Sequence, residues 1–115
     1  MWLFTPTGFL SIVADYDVPG HALVRARVLE DLEAFCARTG APAPTETPHR
    51  DYRFRTSVPF SVLAADLAAQ AQQIDYPNFK SEVAERQGSE RAAAYGRVWS
   101  VMHELQERTA RRRRG

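Results

Sequence analysis

The sequence has few of the features that mark secreted, membrane-spanning or metal-dependent proteins. Among its 115 residues there is one cysteine, Cys36, so neither an internal disulfide nor an all-cysteine metal site can form. The first residues lack the basic segment and long apolar core of a signal peptide. No apolar run approaches the roughly 20 residues that span a bilayer. We therefore expect a cytoplasmic protein with no membrane partner.

Motifs for catalysis are missing as well. No HExxH, CxxC, GxSxG or glycine-rich phosphate loop occurs. His21, His49 and His103 are predicted on a turn, a loop and a helix flank, which makes a metal site improbable. We expect no cofactor, no metal and no enzymatic activity. The alternative is a small enzyme that uses His49 and Asp51 as an acid–base pair, with arginines, on an anionic, phosphorylated substrate.

The composition is that of one globular domain. Hydrophobic residues make up 44% of the chain and charged residues 25%, which is ordinary for a folded protein. The formal net charge of +1 conceals a basic end, because Arg111 to Arg114 contribute four of the 15 basic residues and leave 11 against 14 acidic ones. We predict a single domain over residues 1–110 and a basic, disordered tail over 111–115.

Two runs of residues, 22–28 and 52–58, alternate in polarity with a period of two. Since successive side chains of a strand point to opposite faces, each run predicts a strand with one apolar face. If both strands belong to one sheet, four guanidinium groups share the face opposite the core. The predicted core-facing residues are Ala22, Val24, Ala26, Val28, Tyr52, Phe54 and Val58. The predicted arginine face carries Arg25, Arg27, Arg53 and Arg55.

The rest of the chain completes an α+β pattern. Further predicted elements are a strand over 8–15, a helix from Leu29 to before Gly40, an extended proline-rich connection over 40–50, and helices capped by Ser61, around 81–87 and capped by Ser89. Trp2 and Phe4 are expected to cover the core. The order β-β-α-β-α plus C-terminal helices predicts a three-stranded antiparallel or mixed sheet in the order 2-1-3. Its third strand would run parallel to the second, in a truncated ferredoxin-like layer.

The arginine face is the first candidate binding site. Guanidinium groups bind phosphate or carboxylate with two parallel hydrogen bonds, and an aromatic ring between them can stack on a base. This combination predicts a surface for anions or single-stranded nucleic acid. The alternative is a solvated sheet face with its arginines paired to Asp15, Asp51 or helix carboxylates. The candidate binding residues are Arg25, Arg27, Arg53, Arg55 and Phe9.

A second group of candidates lies towards the C-terminal end of the chain. Tyr76 and Phe79 anchor a predicted turn, and Tyr95, Trp99 and His103 recur every fourth residue on the last helix, a spacing typical of a core or an interface. Tyr76, Phe79, Trp99 and His103 are the candidate partner-binding residues. A homodimer built on the exposed sheet or its edges is a further alternative.

Several stretches resemble a family of small bacterial proteins. They are Met1–Thr5 with Gly8-Phe9, Val24–Val28, Asp31–Glu33, Asp51-Tyr52, Ile74–Tyr76 with Asn78–Lys80, Arg86–Gly88, and Arg91-Ala92 through Tyr95 to Val98–Ser100. The resemblance implies no established activity or site.

Size and the missing catalytic motifs together favour a non-enzymatic binding or regulatory domain. We expect its partner to be a protein or a nucleic acid. A small inhibitor from a phage or mobile element, such as an anti-CRISPR protein, fits this expectation.

Overall fold

The computed structural model describes all 115 residues and has the predicted α+β class, with four helices and one five-stranded sheet. The chain divides into two compact units, Met1–Asp75 and Tyr76–Gly115, where the sequence predicts one domain over residues 1–110. The elements are β1 (Trp2–Thr5), β2 (Gly8–Ala14), β3 (His21–Ala26), α1 (Leu29–Thr39), β4 (Thr45–Glu46), β5 (Phe54–Pro59), α2 (Phe60–Gln72), α3 (Phe79–Gln87) and α4 (Ser89–Arg114).

The strands lie in the order β1-β2-β3-β5-β4, and every neighbouring pair is antiparallel. The three predicted strands correspond to β2, β3 and β5. The predicted order 2-1-3 is wrong, because β3, the second of them, lies between the other two. The crossover through α1 leads first to β4, a short strand inside the proline-rich connection. Strand β4 runs in the same direction as β3, and the turn after it reverses the chain into β5. The ferredoxin-like assignment stays a prediction.

The core of the first unit lies between the sheet and helices α1 and α2. Ala22, Val24, Ala26 and Val58 all project into it, as their period of two predicts. Val28 does not, because β3 ends at Ala26 and the chain has already turned towards α1. The buried core residues are Leu10, Ile12, Ala22, Val24, Ala26, Leu32, Phe35, Val58 and Leu63.

Two predicted helix caps differ from the structure. Strand β5 leads directly into α2, so Pro59 occupies the N-cap position and Ser61 lies inside the helix. Likewise Gly88 precedes α4, and Ser89 is its first helical residue. A side-chain cap does occur on α3, where Asn78 Oδ1 accepts a hydrogen bond of 2.9 Å from the third backbone N–H of the helix. Ser61, Asn78 and Ser89 thus mark the starts of α2, α3 and α4 to within two positions.

The second unit is built from α3 and α4, which pack together through Val83 and Ala92, both fully buried. Helix α4 continues for 26 residues to Arg114. The arginines of 111–114 are therefore helical, where the sequence predicts a disordered tail. None of the four helices combines the length and the apolar character that crossing a membrane requires.

Candidate functional site

One row of side chains crosses four strands on the face of the sheet opposite the core. Trp2 pairs with Ser11, Ser11 with Arg25, and Arg25 with Arg55. Directly opposed residues of antiparallel strands point to the same face, and strands lie about 4.8 Å apart, so the row extends over roughly 14 Å. The predicted common face of Arg25 and Arg55 is confirmed. We call this surface the arginine face and define it by Arg25, Arg27 and Arg55.

Aromatic rings cover the end of the arginine face next to β1. Phe9 stacks on Phe4 with ring centroids 4.4 Å apart and meets the edge of Trp2 at 5.9 Å. Trp2 and Phe4 were expected over the core, but β1 pairs with β2 and turns both rings to the opposite face. The Trp2 residue is 67% exposed, so an indole ring is available to solvent beside Phe9.

Tyr52 holds two of the arginines in place. The guanidinium carbons of Arg25 and Arg27 lie 4.6 and 4.3 Å from the centroid of its ring, within the range of a cation–π interaction. Arg25 Nη2 also donates to Ser11 Oγ at 2.8 Å, and Arg27 Nη1 donates to the backbone oxygen of Asp51 at 2.8 Å. Both guanidinium groups are therefore positioned by the protein itself.

The placement of Tyr52 corrects the sequence prediction that it faces the core. Strand β5 begins at Phe54, so the period of two does not continue back through residue 52. Tyr52 is only 4% exposed, although it lies outside the main core. Its ring centroid is 6.5 Å from that of Phe9. Sequence reasoning missed this role because pairing across an irregular loop leaves no periodic signal.

The other two arginines differ in their surroundings. Arg53 forms an exposed ion pair with Glu46, with Nε 2.9 Å from Oε1. Arg55 has a side chain only 15% exposed, donates from Nε to Thr47 Oγ1 at 3.3 Å, and lies 3.9 Å from an oxygen of Asp51. Arg53 therefore already has a carboxylate partner, whereas the nearest carboxylate to Arg55 is at the limit of an ion pair.

Positive charge is crowded around Arg55. Burial lowers the pKa of its guanidinium, the charges of Arg50 and Arg25 lower the pKa further, and Asp51 acts in the opposite direction. Nearby like charges disfavour the protonated form, and an anion close by favours it. A bound phosphate or carboxylate would therefore be stabilised at this position.

Of the predicted acid–base pair, His49 and Asp51, the structure gives the carboxylate contacts with other groups. Asp51 Oδ1 accepts the backbone N–H of Tyr52 at 2.9 Å and faces Arg55, so its carboxylate orders the loop. Asp15, a predicted partner of the arginines, instead accepts the backbone N–H of Asp17 at 3.0 Å through Oδ1, and the nearby Ser57 hydroxyl is the main cause that lowers the pKa of the Asp15 carboxyl. No group of three His, Cys, Asp or Glu side chains lies close enough to hold a metal ion.

The candidate partner-binding residues separate into two pairs within the second unit. Tyr76 and Phe79 lie 6.3 Å apart, and Phe79 stacks on Tyr95 at 6.1 Å, so these rings pack against the start of α4. Trp99 and His103 form a parallel stack with centroids 5.0 Å apart. Trp99 and His103 are both exposed to solvent. The second pair presents more aromatic surface to a partner, because Tyr76 and Phe79 are half-buried.

Cys36 is expected to react slowly with thiol reagents. Burial is the main cause that raises the pKa of its thiol, with a smaller contribution from Glu33, and a raised pKa lowers the fraction of the reactive thiolate at neutral pH. At pH 7.5 the folded protein should react with a chromogenic disulfide several-fold more slowly than the same chain in urea. Equal rates in the two states would contradict the buried environment.

Comparison with known proteins yields no match, whether with protein-family models, curated proteins or solved structures.

Proposed function

We propose that this protein is a non-enzymatic binding domain whose arginine face binds single-stranded nucleic acid. The observation that carries the proposal is the exposed Trp2 indole in the same cross-strand row as Arg25 and Arg55. An exposed indole can stack on an unpaired base, and a guanidinium group can bind the neighbouring phosphate with two hydrogen bonds. The row presents both kinds of group on one surface.

The contacts of Arg25 and Arg27 with Tyr52 support the proposal by fixing two cations before a ligand arrives. A long, flexible side chain loses rotamer freedom when it binds, and prior ordering lowers that cost. Arg25 donates to Ser11 through Nε and Nη2. Because a guanidinium group has five N–H donors, donors remain for a phosphate.

The distribution of charge favours a short single strand over a long duplex. Four arginines (residues 25, 27, 50 and 55) lie on or beside the arginine face, against the carboxylate of Asp51, while Arg53 is paired with Glu46. Outside residues 111–114 the chain has 11 basic and 14 acidic residues, so the positive charge is local. Single-stranded bases can leave their stack and reach an aromatic ring, whereas paired bases cannot.

Replacing Trp2 with alanine is expected to weaken binding of a fluorescein-labelled oligo-dT or oligo-U by about tenfold, since stacking of one base on an aromatic ring contributes roughly 1–3 kcal/mol. The Arg25→Ala, Arg55→Ala double variant should also weaken binding and lower the salt dependence. About 0.7 counterions are released per phosphate contact on single strands. Losing two contacts should therefore make the slope of log K against log salt concentration shallower by roughly 1.4. Fluorescence anisotropy over 20–300 mM salt measures both quantities.

Arg86→Ala is the matched control, since it removes one arginine, whose side chain is 56% exposed, from an ion pair with Glu82 on α3. This variant should bind as the unchanged protein does, and circular dichroism should show that every variant is folded. Absence of binding at 20 mM salt would refute the proposal, as would equal losses in Arg86→Ala and in the arginine-face variants. If oligonucleotides fail while capture of a protein from lysate survives nuclease treatment, the partner is a protein, as expected of a phage or mobile-element inhibitor.

A further inference from the structure

Helix α4 leaves an apolar stripe uncovered along its middle turns. Helix α3 packs on the first turns of α4, where Ala92 is buried and Tyr95 stacks on Phe79. Beyond them, four apolar residues follow the spacing i, i+3, i+4, i+7, which places them on one side of a helix. These residues and their exposed fractions are Val98 (40%), Val101 (59%), Met102 (57%) and Leu105 (45%).

Charged residues of alternating sign follow one edge of this apolar stripe. Glu90, Arg97, Glu104 and Arg111 recur at intervals of seven residues. All four are exposed, and none of the ion pairs within the chain involves them. In heptad notation Val98 and Leu105 occupy a positions and Val101 a d position, so these four residues occupy g, where charged side chains select the partner helix and its direction.

We propose that two copies of the protein associate through α4 in an antiparallel pair. In such a pair each g position faces a g position of the other helix. Glu90 would then face Arg111 of the second copy, and Arg97 would face Glu104 of the second copy. Twofold symmetry repeats both contacts. The same register places Val98 against Val101 of the second copy and Leu105 against Ala94 of the second copy, which covers the apolar stripe. In the two outer layers it places Arg91 against Arg108 of the second copy, where long arginine side chains can extend into solvent.

The charges at the g positions favour this arrangement over a parallel pair and over an antiparallel pair shifted by one heptad. In a parallel pair the g positions would face e positions, which are occupied by Tyr95, Met102 and Thr109 and carry no charge. An antiparallel pair shifted by one heptad would place Glu104 against Glu104 of the second copy and Arg97 against Arg111 of the second copy. Both contacts would be repulsive. Only the proposed register pairs every g residue with an opposite charge.

The length of the matched segment sets the expected strength of the dimer. Residues 90–111 extend over about 33 Å at 1.5 Å per residue, and three heptads make a short helix pair. We therefore expect an equilibrium between monomer and dimer that depends on protein concentration. Sedimentation equilibrium of the full chain at 50 mM salt, over a hundredfold range of concentration, measures its dissociation constant.

Charge reversal at the two central g positions tests the pairing. The Arg97→Glu change brings two carboxylates together at each central contact, and the Glu104→Arg change brings two guanidinium groups together there. Each altered contact occurs twice per dimer. Each single variant should weaken self-association by about tenfold, since two attractive contacts become repulsive. Glutamate and arginine have similar helix propensities, so neither change should unfold α4.

The decisive measurement is an equimolar mixture of the two single variants. Arg97→Glu in one chain and Glu104→Arg in the other restore opposite charges at both central contacts, so a heterodimer should form about as tightly as the unchanged homodimer. The double variant in one chain should also recover self-association. A monomer at all concentrations, unchanged association of the single variants, or no recovery in the mixture would each overturn the proposal. Oligonucleotide binding is a separate readout, because neither residue lies on the arginine face.

Discussion

Replacing Arg38 with alanine is expected to lower the free energy of unfolding by about 2 kcal/mol, because the buried Asp66 carboxylate loses a charged hydrogen-bond donor that is itself partly exposed to solvent. Arg38 contacts Asp66 through two parallel hydrogen bonds, Nε to Oδ1 at 2.9 Å and Nη2 to Oδ2 at 3.2 Å. The side chain of Asp66 is only 4% exposed. Without the guanidinium group its carboxylate would stay buried with no compensating charge, in the contact region of α1 and α2.

Urea unfolding followed by circular dichroism measures this loss. Arg53→Ala is the control, because the side chains of Arg53 and Glu46 are 57% and 55% exposed and an exposed pair contributes at most about 1 kcal/mol. The double variant Arg38→Met, Asp66→Leu removes both charges and should recover most of the stability lost by Arg38→Ala. A loss for Arg38→Ala no larger than that for Arg53→Ala would contradict the account of a buried pair.

Replacing Gly8 with alanine is expected to destabilise the fold by about 3 kcal/mol, through strained backbone and a steric clash. Gly8 has a φ of +154°, a region that residues with a Cβ rarely adopt. An added Cβ would come within 2.6 Å of Asp31 Cγ and 2.7 Å of Asp31 Cβ. Asp31 cannot easily move away, because it is buried and its Oδ2 accepts the backbone N–H of Phe9 at 3.0 Å.

Gly96→Ala is the same chemical change as Gly8→Ala, but we expect it to stabilise the protein. Gly96 lies inside α4, where an added Cβ would meet only the end of the Lys80 side chain at 3.6 Å, an ordinary contact distance. Alanine in place of glycine within a helix should stabilise it by roughly 0.5–1 kcal/mol. Thermal unfolding of the two variants should therefore shift in opposite directions. A Gly8→Ala protein as stable as the parent would show that β2 does not need a glycine beside α1.

Prediction from the sequence succeeded where one local pattern determines the structure. The period of two in β3 assigns Val24 to the core and Arg25 to the opposite face, and the structure confirms both. Gly40 ends α1 in the left-handed conformation that its place in the sequence predicts, with φ +72° and its N–H bonded to the oxygen of Cys36 at 2.9 Å. Each of these features depends on residues only a few positions apart.

Prediction failed where the structure depends on pairing between distant segments. The two residues of β4 carry no strand pattern and form a strand only because β5 offers an edge to pair with. The sequence predicts that β5 runs parallel to β3. Because β4 precedes β5 and the chain reverses between them, β5 instead runs antiparallel to β3. Tyr52 is likewise buried beneath Arg25 and Arg27, which lie more than 20 positions before it in the chain.

The sequence by itself determined the α+β class, the core-facing positions of β3, and the presence of four arginines in two alternating runs, because alternation is a local property of the chain. Only the tertiary structure decided that Arg25 and Arg55 lie directly opposite each other, that Trp2 extends their row on the arginine face, and that Tyr52 orders two of the cations. Strand register and contacts between loops depend on how the whole sheet packs. No short stretch of sequence contains that information.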